Sequence, residues 1–176
     1  MPVFEESGLL VTLPGETAFR FCDLSTFKSL SGRQISEMDY AWRHDEKSAL
    51  CLMEVKDYSA EGRELPKHLL AKLVAKGRDC LVLLRAAWSE LSASGRALRE
   101  ELPALCREEL PVRLFFVVKG DPVVLKKEGF PFMQDHLRAC IEGYAELLGV
   151  RAPLVLLIDH EKAVRMGLVS IAPASR

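Results

Sequence analysis

The chain of 176 residues lacks most features that announce a function on their own. Its five cysteines (Cys22, Cys51, Cys80, Cys106, Cys140) are odd in number and widely spaced, with no Cys-x-x-Cys pair. That argues against a disulfide scaffold, a zinc ribbon and a cysteine-ligated iron–sulfur cluster. A reduced, cytoplasmic protein is the expectation. No apolar run reaches the roughly 18 residues of a membrane span. The opening MPVFEESG is acidic, unlike a signal peptide, so no membrane partner is expected. G-x-x-x-x-G-K-S/T and G-x-G-x-x-G are missing, which leaves nucleotide binding through a glycine loop unsupported. G-x-S-x-G is missing too, and His44, His68, His136 and His160 show no metal-ligand spacing. A formal net charge of −1 excludes nucleic-acid binding by bulk positive charge alone.

What is there is the balance of an ordinary globular protein, with 49% hydrophobic and 28% charged residues. One domain over 1–176 is the expectation. The charge is unevenly spread. Residues 1–61 carry 6 Lys+Arg against 11 Asp+Glu, whereas residues 62–99 carry 8 against 3. An acidic segment followed by a basic one is either accidental patterning or a metal site beside an anion-binding face.

Residues 9–14 and 17–24 read as a hairpin turned by Pro14-Gly15, and 25–34 as a loop with at most one helical turn. A second hairpin joins ISEMDYAWR (35–43) to SALCLMEVKDY (48–58) through the polar HDEK. Both faces of the latter strand are apolar, which predicts a central strand covered on both sides. From Pro66 to about 92 the period becomes helical, with Gly77 tolerated inside it or splitting it. A charged helical stretch follows over 95–109, interrupted by Pro103. VRLFFVVKG (112–120) and APLVLLID (152–159) read as buried strands around a helix over 131–148. The predicted stripe of that helix is Phe132, Leu137, Ile141, Tyr144, Leu147 and Leu148. Asp159 reads as the cap of a short last helix, and the tail 172–176 as frayed. The fold class is α/β, a mixed sheet with helices on both faces.

Two charged pairs interrupt the central hairpin. Glu37 and Asp39 are two apart, as are Glu54 and Lys56, so each pair shares a strand face. A four-residue loop places odd positions of the first strand on the same side as even positions of the second. Three carboxylates and one ammonium then converge on one patch of sheet. Hard carboxylate oxygens suit Mg²⁺ or Mn²⁺, and a neighbouring lysine suits a water attacking phosphorus. Asp39 and Glu54 are the expected metal ligands, Glu37 a third, and Lys56 the group that assists the nucleophile. The structural alternative is an ordinary ion pair at a strand end. Tyr40 and Trp42 fall on the face opposite Asp39 and read as core. Beyond the site, Lys67, Lys72, Lys76 and Arg78 cluster near the start of the following helix, either as a phosphate-binding face or as a solvated one.

An acid on one strand, 15 residues, and then E-x-K at the end of an apolar neighbour resembles the PD-(D/E)XK nuclease superfamily, with its restriction-endonuclease-like fold. The resemblance covers about 17–120, with 121–176 as a helix–strand extension of the sheet. It implies that Asp39 is the metal-binding acid and that Glu54 and Lys56 are the E-x-K pair. No proline precedes Asp39, and the leading helix that often supplies a further acid is missing from 1–16. The implied activity is Mg²⁺- or Mn²⁺-dependent hydrolysis of nucleic acid, DNA ahead of RNA, by a homo-oligomer or a subunit of a larger assembly. The alternative is a nuclease-fold module without catalysis that binds nucleic acid or protein.

Overall fold

The computed structural model describes residues 3–6, 9–13, 17–31, 35–59, 65–127, 129–152 and 154–171. Its centre is a four-stranded mixed sheet in the order β3-β4-β5-β6, formed by Tyr40–His44, Ala49–Asp57, Val112–Lys119 and Leu154–Asp159. β3 and β4 form the antiparallel hairpin, with Tyr40 opposite Met53 and His44 opposite Ala49. A 3₁₀ turn at Asp45–Lys47 and Ser48 in the left-handed region (φ 41°) close it. β4, β5 and β6 run parallel, as strands joined by helical crossovers must.

The crossovers are α2 (Leu69–Ser89) with α3 (Ala93–Glu101), and then α4 (Pro122–Lys127) with α5 (Phe130–Leu148). α2 buries Leu69, Leu73, Cys80, Leu81 and Leu84 against Leu50, Leu52, Leu114 and Phe116 of the sheet, together with Leu137 and Ile141 of α5. Gly77 does not split α2. A Cβ there would stand 2.5 Å from Ile141 Cδ1 and 3.2 Å from Phe116 Cζ, so the missing side chain lets α2 lie close to both. The other face carries Tyr40, Trp42, Cys51, Met53, Val55, Phe115 and Val117. It packs on Leu9 and Val11 and on Ala163 of the short helix α6 (His160–Arg165). Helices therefore flank the central sheet on both faces. Leu9 and Val11 belong to β2 (Leu9–Thr12), the middle of an antiparallel sheet with β1 (Val3–Glu6) and β7 (Ser170–Ile171). Asp159 caps α6, accepting from Lys162 N at 2.7 Å. Among the described residues no helix is long and apolar enough to cross a membrane.

Several local expectations need correction. β2 pairs with β1 and β7 and not with 17–24, which contributes one bridge, Phe19 to Ala41, before a 3₁₀ turn. The next segment is not a loop but a helix, α1 (Ser25–Ser31). Glu101 of α3 accepts from Thr26 N at 3.0 Å and from Ser25 Oγ at 2.7 Å, which satisfies donors at the start of α1 from a distant part of the chain. Residues 35–39 are not strand, because Ser36 N and Met38 N bond instead to Asp79 Oδ2 and Cys80 Sγ of α2. Phe132 and Leu147 are exposed, at 74% and 85%. Phe132 stands roughly 140° around the helix from Leu137, and Ala145 fills the interior position instead. The Pro14-Gly15 turn and the 172–176 tail lie outside the described residues.

Candidate active site

The β3–β4 register sets the site. Positions 40 and 53 face each other, so one step back Asp39 comes level with Glu54 and shares its side of the sheet. Asp39 Oδ2 accepts from Val55 N at 2.8 Å, which pins the carboxylate across the mouth of the hairpin. Lys56 lies two residues beyond Glu54 on the same face. Lys76 reaches the same point from α2, one residue before the glycine that lets the helix approach.

Four charged groups alternate in sign within a few ångströms. Lys56 Nζ is 2.6 Å from Glu54 Oε1 and 3.8 Å from Asp39 Oδ2. Lys76 Nζ is 2.8 Å from Glu54 Oε1, 2.9 Å from Glu54 Oε2 and 3.7 Å from Asp39 Oδ1. The Glu54 side chain is fully buried and that of Asp39 is 13% exposed, whereas the two lysines keep contact with solvent. Oε1 of Glu54 sits between the two ammonium groups, in ion-pair contact with both. Burial and the neighbouring Asp39 push the Glu54 carboxyl up to about 7, against the pull of Lys76 and Lys56.

A pocket of roughly 310 Å³ opens beside the cluster, lined in part by Ser36, Glu54, Lys56, Tyr58, Lys72 and Lys76. Of the four cations expected to meet phosphate, Lys72 lines this pocket and Lys67 is exposed in the turn before α2. Lys76 is turned inward onto the carboxylates. Arg78 is held by Asp79 (Nη2 to Oδ1 2.7 Å) with its guanidinium 5.8 Å from the centre of the Tyr144 ring. The participation of Lys76 in the acidic cluster escapes the sequence reading. Its one local signal is position, a lone charge between Ala75 and Gly77 on a helix that must lie close to the sheet.

Glu37 takes no part in these ion pairs among the described residues. The alternation that would align it with Asp39 fails before Tyr40, because Met38 packs into the core under α2. No group of three or more metal-ligating side chains gathers among the described residues. The two carboxylates that could hold a metal are Asp39 and Glu54. Two hard carboxylates match Mg²⁺, which keeps several waters and takes one or two protein carboxylates. Comparison with family models, curated proteins and solved structures gives no match.

Proposed function

We propose that the chain is a metal-dependent phosphodiesterase of the PD-(D/E)XK type acting on nucleic acid, DNA ahead of RNA. The observation that carries this reading is the meeting of Asp39, Glu54 and Lys56 on one face of the hairpin. Asp39 and Glu54 would hold Mg²⁺ or Mn²⁺, whose Lewis acidity offsets charge building on phosphorus and makes a water more acidic. Lys56 orients the attacking water by hydrogen bonding and balances negative charge on the transferred phosphoryl group. The Val55 N–H fixes the Asp39 carboxylate, and the buried wall beneath Glu54 excludes bulk water from one side. Lys72 at the pocket and Lys67 in the turn before α2 supply positive charge for the phosphate backbone. With Lys76 and Arg78, two of the four expected cations, taken up by carboxylates, action as a homo-oligomer or within a larger assembly is the fitting arrangement.

One observation favours a second reading. Two carboxylates and two ammoniums balance formally without a metal, as they would in a nuclease-fold module that only binds. Incubation of the purified protein with plasmid DNA and with RNA in Mn²⁺ tests both readings. Wild type should cleave, and Asp39→Ala and Lys56→Ala should each lower the rate by about 100-fold or more. Cleavage surviving both substitutions overturns the site assignment. Absence of cleavage on every substrate selects the binding module.

A further inference from the structure

We propose that a second cavity, on the face of the sheet opposite the carboxylates, binds a small organic anion with an apolar body and one carboxylate or phosphate group. This site is separate from the nuclease reading and does not rest on it. The cavity measures roughly 330 Å³, within the size range of small-molecule sites. Its floor follows from strand register. Trp42, Cys51, Arg113 and Leu154 stand side by side across all four strands, so their side chains share one face. Phe115, two residues beyond Arg113, joins that face, and its ring stacks on Trp42 with centroids 6.1 Å apart. Leu13 beside β2 and Leu168 after α6 line the cavity from the covering layer.

The charges in this apolar lining are of one sign. Arg113 and Lys47 line the cavity, His44 adds an imidazole, and no acid does. Arg113 is half-buried near the start of β5. Among the described residues neither Arg113 nor Lys47 has an ion-pair or hydrogen-bond partner for its side chain, and Asp45 turns to Arg43 instead. Lys76, Arg78 and Lys119 are also half-buried, yet each has a carboxylate. Burial pushes the Cys51 thiol up while Arg113 and Lys47 pull it down, so both positive charges reach the cavity floor. A guanidinium drawn out of water without an acid carries a cost that a bound anion offsets, and its forked donors suit a pair of carboxylate or phosphate oxygens. Trp42 and Phe115 supply contact for the apolar body.

Calorimetry tests this with 2-naphthoate, 2-naphthyl phosphate and the neutral 2-naphthamide. At least one anion should bind with a Kd of about 1 mM or tighter, and at least about tenfold more tightly than the amide. The tighter of the two anions identifies the head group. Arg113→Met should weaken that anion about tenfold, whereas Lys72→Met, which removes a cation from the pocket beside Glu54, should leave it within about twofold. Absence of binding by both anions, or an amide that binds as tightly, overturns the proposal. So does an affinity that Arg113→Met leaves unchanged, or one that Lys72→Met lowers as much. Methionine methyl NMR on wild type keeps the test independent of variant folding. Met166 lines the cavity and is 44% exposed, so its methyl should shift on binding while that of Met133 in α5 stays in place. Saturable binding that leaves the Met166 methyl unmoved overturns the proposal as well.

Discussion

Two ion-pair sites lie three residues apart on β4 and behave oppositely. Glu54 has two lysines in contact and is nevertheless pushed up to about 7. Asp57 pairs with one lysine, Lys119, at 2.9 Å, in register across the parallel β4–β5 ladder, and its pKa is lowered. Burial works to raise both. At Asp57 it is modest, and hydrogen bonds from Lys119 and Ser59 overcome it. At Glu54 the side chain has no exposure at all, and a second carboxylate, Asp39, adds to the penalty. The number of positive partners therefore does not decide the protonation of an acid. Depth and the nearest like charge do.

The largest effect should come from stripping the buried acid of its partners. The double substitution Lys56→Met, Lys76→Met removes both ammonium groups that contact Glu54 and Asp39. At pH 8 the loss in unfolding free energy should be on the order of 3–5 kcal/mol, measured by urea denaturation. The loss should shrink at pH 5, where the protonated Glu54 no longer needs a counter-ion. Equal losses at both pH values would mean that packing of the lysine stems, and not charge, holds the cluster together.

The lysine that makes this test possible is also where the sequence reading stops. Sheet periodicity is local, so the face shared by Asp39, Glu54 and Lys56 follows from a loop length and a parity rule, and the register has that parity. The same rule misplaces Glu37, because the chain before Tyr40 follows α2 by bonding to Asp79 and Cys80 instead of pairing with β4. Lys76 depends on how close α2 lies to the sheet. That in turn depends on Gly77 meeting Ile141 and Phe116, side chains from two later elements. No window around residue 76 contains them. Residues 17–24 mislead for a related reason: their apolar alternation suits a strand, yet Phe21 is buried in the helix-side core and α1 follows at once, its first donors met by Glu101.

A smaller effect is the pH dependence carried by Glu54 itself. Its folded pKa lies above the ordinary value of 4.5, so between there and about 7 the native state holds more protons than the unfolded chain. Stability must then fall as pH rises through that window, and the full benefit is present only below it. The decline attributable to this group should be on the order of 2–3 kcal/mol. Glu54→Gln keeps the shape and cannot ionise, so it should remove this slope and leave the variant more stable than wild type at pH 8. A variant with the wild-type slope would assign the titration to another group.

The smallest effect belongs to the other site, with the opposite sign. A lowered carboxyl pKa contributes stability above the unfolded value, 3.8 for an aspartate, and that stability is lost as pH falls through the folded pKa. The Asp57 and Lys119 side chains are 22% and 26% exposed, so water screens much of their attraction. Asp57→Asn and Lys119→Met should each cost under about 1 kcal/mol at pH 7, and Asp57→Asn should cost nothing measurable at pH 2. Neither should alter Mn²⁺ binding, because Asp57 points to the opposite face of β4 from Glu54. A cost at pH 7 as large as that of stripping Glu54 would show that one well-aligned lysine stabilises more than two crowded ones. Depth would then no longer account for the difference between the two ends of this strand.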